Sequence, residues 1–424
     1  MGKLKAIIPE RLFTSLSSEY EYGKAVLIEG ESIASIVPVT DIPEDVATSV
    51  YKDCTLLPGL IDTHCHLEDW SAPLFLQHGI TTVRDTGNDL DYILAKKAEM
   101  EKPEAPGPSI RCCGPVLDGM PYIHPVLSWG IKQDEDVPLA IAYLQSRQVD
   151  AIKLYAGLDI NKVKIAVETC AQAGIHLLGH FQGKLTLLEA IKAGVPEAEH
   201  FVEVPDYYSE EIILEIIKRD AWVVPTQMVW EGIFHYQESQ AIRRYFDAMP
   251  ESAIKRYSNK FLAEKTRQDP LLMKLKAFCR NNRSYIQGMI KLGGKIAPGT
   301  DAPCQFALPG ISYLAELQVF SECGMTNSDI LKCATLIAAD LLGLKARSGS
   351  IEKGKKADML IVEGDPLKNL PDLKRIKCIY KRGYKHLPDE TLVQVSPASR
   401  TGYHLPDMSE QASVYDDWKL KYLT

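Results

Sequence analysis

The chain has 424 residues, 46% hydrophobic and 25% charged, the proportions of a folded protein long enough for one large domain and a smaller one. Its 48 basic residues against 56 acidic ones leave a net charge of −8, which argues against a nucleic-acid footprint and against a polybasic membrane patch. No run of 18 apolar residues and no signal-length apolar stretch at Met1–Glu10 points to export or membrane insertion, and the ten scattered cysteines form no CxxC pair. A cytoplasmic protein with reduced core thiols is expected.

Along the chain, Lys24 to Val37 reads as two strands joined at Gly30. From Leu56 to Gly343 short apolar runs alternate with amphipathic stretches, as in βα units. The predicted strands are Leu57–His66, Ile80–Asp85, Ser109–Pro115, Asp150–Tyr155, Ile175–Phe181, Glu197–Phe201, Ala221–Pro225 and Lys295–Thr300. Helical patterns lie between them at Asn161–Ala173, Leu185–Ala193 and Glu210–Arg219, and Thr326-Asn327-Ser328-Asp329 reads as a capping box opening a helix through Leu342. Eight parallel-type strands predict an α/β fold, a (β/α)8 TIM barrel over 57–347 with its active site at the C-terminal strand ends.

The stretch 227–291 is too long for an ordinary barrel connection and carries Trp230, Phe234, Tyr236, Tyr245, Arg243, Arg244, Lys255 and Arg256; a helical lid and a solvated excursion are both open readings. Ser350–Val362 and Ile376–Lys381 read as further strands. Neither flank is large enough to fold alone, so 1–56 and 348–386 are expected to pair into one small composite β-sandwich domain. The proline- and acid-containing remainder, 387–424, is a weakly patterned extension.

The chemistry sits at the strand ends. His64 and His66 are two residues apart, so on a strand they share a face while Cys65 points away, and two converging imidazoles make half a metal site. Lys153 is the lone charge in the apolar run Ala151-Ile152-Lys153-Leu154, where lost hydration pushes an amine toward its neutral form, able to add CO2 as a carbamate. The plain alternative for Lys153 is a buried ion pair. The fifth strand delivers His180, whereas His176, at its other end, reads as structural; the sixth delivers His200 and the eighth Asp301. Singly, each is explained as a cap or a satisfied polar group. Together they are read as one site.

Three segments carry a family resemblance. Pro58-Gly59-Leu60-Ile61-Asp62-Thr63-His64-Cys65-His66, Gly79-Ile80-Thr81-Thr82-Val83-Arg84-Asp85 and Gly299-Thr300-Asp301, with the closing Gly349–Asp358 stretch, resemble the amidohydrolase superfamily over residues 22–385. The nearest-looking branch holds Xaa-Pro dipeptidases, metallo-carboxypeptidases and imidazolonepropionase. The resemblance implies two divalent metal ions, zinc first, with manganese or cobalt also fitting. His64, His66 and Asp301 would hold one ion and His180 and His200 the other, with a CO2-derived carbamate on Lys153 and a hydroxide bridging them. It also implies Asp301 as the group that takes the proton of the attacking hydroxide and passes it to the leaving nitrogen.

Where many peptidase-like members have a second histidine two residues past the fifth-strand ligand, this chain has Gln182. His124, Tyr155, Gln182 and Trp230 are the candidate substrate contacts, with packing roles as the alternative. The expected activity is hydrolysis of an amide bond in a dipeptide or N-acyl amino acid, a small-molecule or peptide-like substrate, by a homo-oligomer. A cyclic-amide or lactone hydrolase is the second reading. A one-metal deaminase is disfavoured because Phe181-Gln182-Gly183-Lys184 lacks the glutamate deaminase members carry there. A catalytically inactive interaction scaffold is the reading from another class; it is disfavoured because all six ligand positions are filled.

Overall fold

The computed structural model describes residues 3–120, 127–247, 249, 265–266 and 268–388. The chain starts with β1 (Lys5–Leu12), β2 (Lys24–Glu29), β3 (Ser32–Pro38) and β4 (Ala47–Pro58). At Gly59 it passes from one sheet to the next within a residue: Gly59 N–H donates to Asp358 at 2.9 Å, and Leu60 N–H donates to Gly79 at 2.9 Å. Only glycine fits this crossing, because a Cβ there would stand 2.1 Å from Thr81 Oγ1. The predicted strand Leu57–His66 is therefore two strands with a switch of partner at Pro58-Gly59.

Two parallel sheets follow. One holds β5 (Leu60–Cys65), β6 (Ile80–Asp85) and β7 (Ser109–Cys112). The other holds β8 (Val116–Gly119), β9 (Ser128–Ile131), β10 (Ala151–Leu154), β11 (His176–Gly179), β12 (Glu197–Glu199), β13 (Trp222–Val224) and β14 (Lys295–Ile296), in the order β14-β13-β12-β11-β10-β8-β9. No ladder joins the two sheets among the described residues. Single backbone bonds do: Asp150 N–H to Cys112 at 2.8 Å on one side, and Thr63 N–H to Pro298 at 3.1 Å on the other. This is the α/β barrel arrangement, with β8 and β9 as an unpredicted short pair; four residues each, including Asp118 and two glycines, give little apolar pattern to read.

The helices between the strands start and stop where their sequences direct. Asp159 caps Ile160–Ala173 by accepting from Asn161 N–H and Lys162 N–H at 3.0 Å each, and Gly174 ends it in a left-handed conformation. Thr326 caps Asn327–Lys332 through Asp329 N–H, but the predicted single helix is broken by a π-turn at Cys333–Ile337 before resuming at Ala338–Leu341. The long insertion supplies helices Gln227–Glu238, Gln240–Asp247 and Pro270–Leu292. Ile233, Tyr245, Phe246 and Leu272 pack with Trp70, Leu74 and Phe306, so the described part is no solvated excursion. Among the described residues no helix is long and apolar enough to cross a membrane.

The chain returns as β15 (Met359–Glu363), β16 (Ile376–Lys381) and β17 (Tyr384–His386), which join the first four strands in one sheet, β17-β16-β15-β4-β1-β2-β3. The stretch Ser350–Asp358, expected as strand, is a polar turn: Lys355 Nζ lies 2.7 Å from Glu352 Oε1 and Gly354 has φ +86°. The sheet bends until Arg382, beyond β16, donates to Glu31, beyond β2, at 2.7 Å. Residues of β15 and β16 then alternate between two cores. Met359, Ile361, Cys378 and Tyr380 fill the interior of the curled sheet, and Leu360, Val362 and Ile379 pack into the barrel core.

Lys381 continues the barrel-facing set and is fully buried. Its Nζ donates to the carbonyls of Met100 at 2.7 Å and Lys102 at 3.2 Å, closing the end of helix Leu90–Met100. Lys381→Met keeps the volume and removes the donor, leaving these carbonyls unpaired. It is expected to lose about 3 kcal/mol of stability in urea denaturation; superimposable curves would show that the staple carries no weight.

Candidate metal centre

Four of the sequence-predicted donors and Lys153 sit at or directly past the C-terminal ends of strands of the parallel sheets, and Asp301 lies in the loop five residues past Ile296 of β14. His64 is in β5 and His66 just past it, with ring centroids 5.7 Å apart, while Cys65 packs into the core. His180 directly follows β11 and His200 directly follows β12, their rings 4.6 Å apart, and His200 lies 5.0 Å from His64. His200 and Asp301 both adopt left-handed backbone, φ +63° and +58°, which turns these non-glycine residues sharply where their loops leave the sheet. Asp301 Oδ1 stands 3.1 Å from His66 Nε2 and 3.4 Å from His64 Nε2, and Oδ2 stands 3.8 Å from His200 Nε2.

Buried carboxylates hold this geometry. Asp62 accepts from Thr300 Oγ1 at 2.6 Å and from His64 N–H at 3.1 Å, locking the Gly299-Thr300-Asp301 turn to β5. Asp85 accepts from Leu67 N–H at 2.7 Å and Gly87 N–H at 3.1 Å, and Gly87 O in turn receives His66 Nδ1–H at 2.8 Å. Glu199 Oε2 lies 2.5 Å from His64 Nδ1. His200 Nδ1 is paired with Thr226 Oγ1.

These partners fix the tautomers. A carbonyl only accepts, so His66 carries its proton on Nδ1 and its Nε2 presents a lone pair. Glu199 sets His64 the same way. Lone pairs of His64 and His66 thus face the Asp301 carboxylate across 3.1–3.4 Å, and Asp301 Oδ1 is buried without a hydrogen-bond donor. Acceptors gathered on acceptors need a cation between them, and nitrogen and oxygen donors of this kind suit a divalent transition ion. Two groups of three donors lie within 4.8 Å of one another: His64, His200 and Asp301, and His66, Asp301 and Cys304. His180 stands outside both groups.

Lys153 projects from β10 with 2% of its surface exposed and its Nζ without a hydrogen-bond partner among the described residues, where the nearest carboxylate oxygen, Glu199 Oε1, is 3.9 Å away. Burial pushes its amine below the usual lysine range, against the raising effect of Glu199. Burial lowers His180 to about 3, so it stays a neutral donor.

Sequence reasoning missed the layer beneath. Arg84 donates to Glu197 Oε2 at 3.0 Å, Glu199 Oε1 at 3.2 Å and Thr63 O at 2.7 Å, all buried, and Glu197 also pairs with His176 at 2.6 Å. The signal was present: Glu197 and Glu199 share a face of a strand too buried to carry unpaired charge. Glu199→Gln keeps the shape but weakens the hold on the His64 tautomer. Metal affinity is expected to fall about 10–100-fold in a competitive chelator titration; an unchanged affinity would remove Glu199 from the support of the centre.

Of the proposed substrate contacts, the Tyr155 ring lies 4.7 Å from that of His180, tilted by 36°, Gln182 Oε1 lies 3.3 Å from His180 Nε2, and the Trp230 ring is 6.2 Å from His200. Trp230 Nε1 is buried with no hydrogen-bond partner among the described residues. His124 lies outside the described residues, as do Lys255, Arg256 and most of the C-terminal extension.

Comparison with known proteins follows this geometry. A family profile described as "Amidohydrolase family" matches residues 55–384. The ochratoxinase of Aspergillus niger is 25% identical over 423 aligned positions, covering 84% of this chain and 80% of that protein. Among solved structures, a Xaa-Pro dipeptidase with methionine bound in its active site aligns with a TM-score of 0.73 at 20% identity, covering 91% of this chain and all (100%) of that one. The A. niger ochratoxinase structure aligns with a TM-score of 0.70 at 22% identity, covering 91% and 96%. The two structural likenesses speak for the fold.

Proposed function

Because this chain belongs to the amidohydrolase family and is an enzyme that hydrolyses C–N bonds, we propose that its substrate is a dipeptide or an N-acyl amino acid, cleaved at a binuclear zinc centre. The observation that carries this reading is the lone-pair standoff among His64, His66 and Asp301 beside a buried, unpartnered Lys153 amine. Support for the substrate class comes from the ochratoxinase relative and from the dipeptidase-like fold, whose solved example holds an amino acid in its active site.

His64, His66 and Asp301 would hold one ion, His180 and His200 the other, and carboxylated Lys153 both. When bound, such a pair supplies an acidified water and a polarised scissile carbonyl. Lys153 enters as a neutral amine, adds CO2 and releases a proton, and so becomes an anionic oxygen donor. Asp301, ionised at neutral pH, accepts the proton of the attacking water and delivers it to the departing nitrogen, which is a poor leaving group until protonated. Trp230 Nε1–H, buried and without a hydrogen-bond partner among the described residues, would donate to a substrate oxygen, and Tyr155 would offer a ring against which an apolar side chain packs.

The test is a library of dipeptides and N-acyl amino acids assayed with protein reconstituted in zinc and bicarbonate. Turnover is expected on at least one class, lost with chelator and regained with zinc. Equal turnover by the metal-free protein would overturn the metal reading. Cleavage confined to lactones or cyclic amides would shift the substrate to that alternative.

A further inference from the structure

Cys304 is the only one of the ten cysteines that is not buried. It lies three residues past Asp301 on a tight turn, with Cys304 N–H donating to Asp301 O at 2.8 Å and Ala307 N–H donating to Cys304 O at 3.0 Å. Its Sγ, a His66 nitrogen and an Asp301 oxygen all lie within 4.8 Å of one another. Independently of the thiol, Asp301 is 8% exposed and its Oδ1 has no hydrogen-bond donor, although it faces the same point. His66, whose Nδ1 is tied to Gly87 O, turns a lone pair toward that point as well. Three donors of different softness thus surround one position.

We propose that Cys304 is a sulfur donor to the ion held by His66 and Asp301, so that this half of the centre selects a thiophilic divalent cation. The inference rests on the metal reading above and adds a ligand to it. An ion with bonds of about 2.1 Å to nitrogen and about 2.3 Å to sulfur sets these donors about 3.6 Å apart, and rotation of Cys304 about χ1 covers the difference. As the sulfur–metal bond forms, the thiol proton passes to water and no electron changes hands. A thiolate in the donor set favours zinc, cobalt or cadmium over manganese and magnesium, which prefer oxygen.

The experiment loads the full-length metal-free protein with Co(II) and records its absorption. Visible cobalt bands report ions bound by any ligand, and a near-ultraviolet sulfur-to-cobalt band reports the thiolate. The wild type is expected to show both. Cys304→Ser is expected to keep the visible bands, lose the near-ultraviolet band and bind cobalt at least about tenfold more weakly. A near-ultraviolet band that survives in Cys304→Ser, or is missing from cobalt-loaded wild type, overturns the sulfur ligand and leaves the centre standing. Absence of visible bands from both proteins overturns the centre and the ligand together. A second readout needs no variant: bound zinc is expected to protect Cys304 from iodoacetamide, followed by peptide mass spectrometry. Equal alkylation with and without zinc overturns the proposal.

Discussion

Lys153→Ala is expected to lose at least one metal ion and to lower turnover by at least about 10²–10³-fold, the scale of removing one preorganised electrostatic group from an active site. The lysine sits in β10 between Ile152 and Leu154, paired in register with Leu178, and none of these neighbours offers a counter-charge. Glu199, 3.9 Å away, is already committed to His64 and Arg84. An amine so placed is costly to keep as a cation, which is why its neutral, CO2-reactive form is favoured. Alanine removes that buried, unpaired group, so thermal stability should hold while metal content and activity fall together. Short carboxylic acids, entering the vacated space, should restore part of both. Undiminished turnover, or loss of activity with full metal content, would sink the carbamate.

Asp301→Asn separates metal binding from proton transfer. Asparagine preserves the shape and one donor oxygen but neither takes up nor releases a proton at neutral pH. Metal content is expected to stay within a factor of about two of wild type, while kcat falls about 10²–10⁴-fold, the usual contribution of a positioned acid–base group. A loss of less than about tenfold would mean that another group moves the proton.

Much of the fold was legible from local rules. Strand periodicity located most of the barrel strands, and Thr326 marked a helix start by its own side-chain cap. The Ser350–Asp358 stretch misled because Ile351 and Ala357 are buried while the residues between them turn at Gly354, so apolar ends mimic a strand that is not there. The π-turn at Cys333–Ile337 leaves no mark that periodicity detects, since a single wider turn shifts the apolar face by one residue only.

At the site the same division holds. Parity along one strand put His64 and His66 on a common face, and the isolation of Lys153 in an apolar run was visible without coordinates. The roles of Arg84, Thr226 and Cys304 were not, because each acts through a partner 26 or more residues away or through a turn whose direction depends on left-handed backbone.

The sequence by itself determined which residues carry donor atoms and on which side of each strand they lie, because side-chain direction in a strand follows from a two-residue repeat in the backbone. Only the tertiary structure decided which nitrogen of each histidine faces its neighbours, that Asp301 meets two lone pairs rather than two protons, and that a thiol shares its corner. Those facts depend on contacts between distant segments, and no local repeat encodes a distance across a barrel.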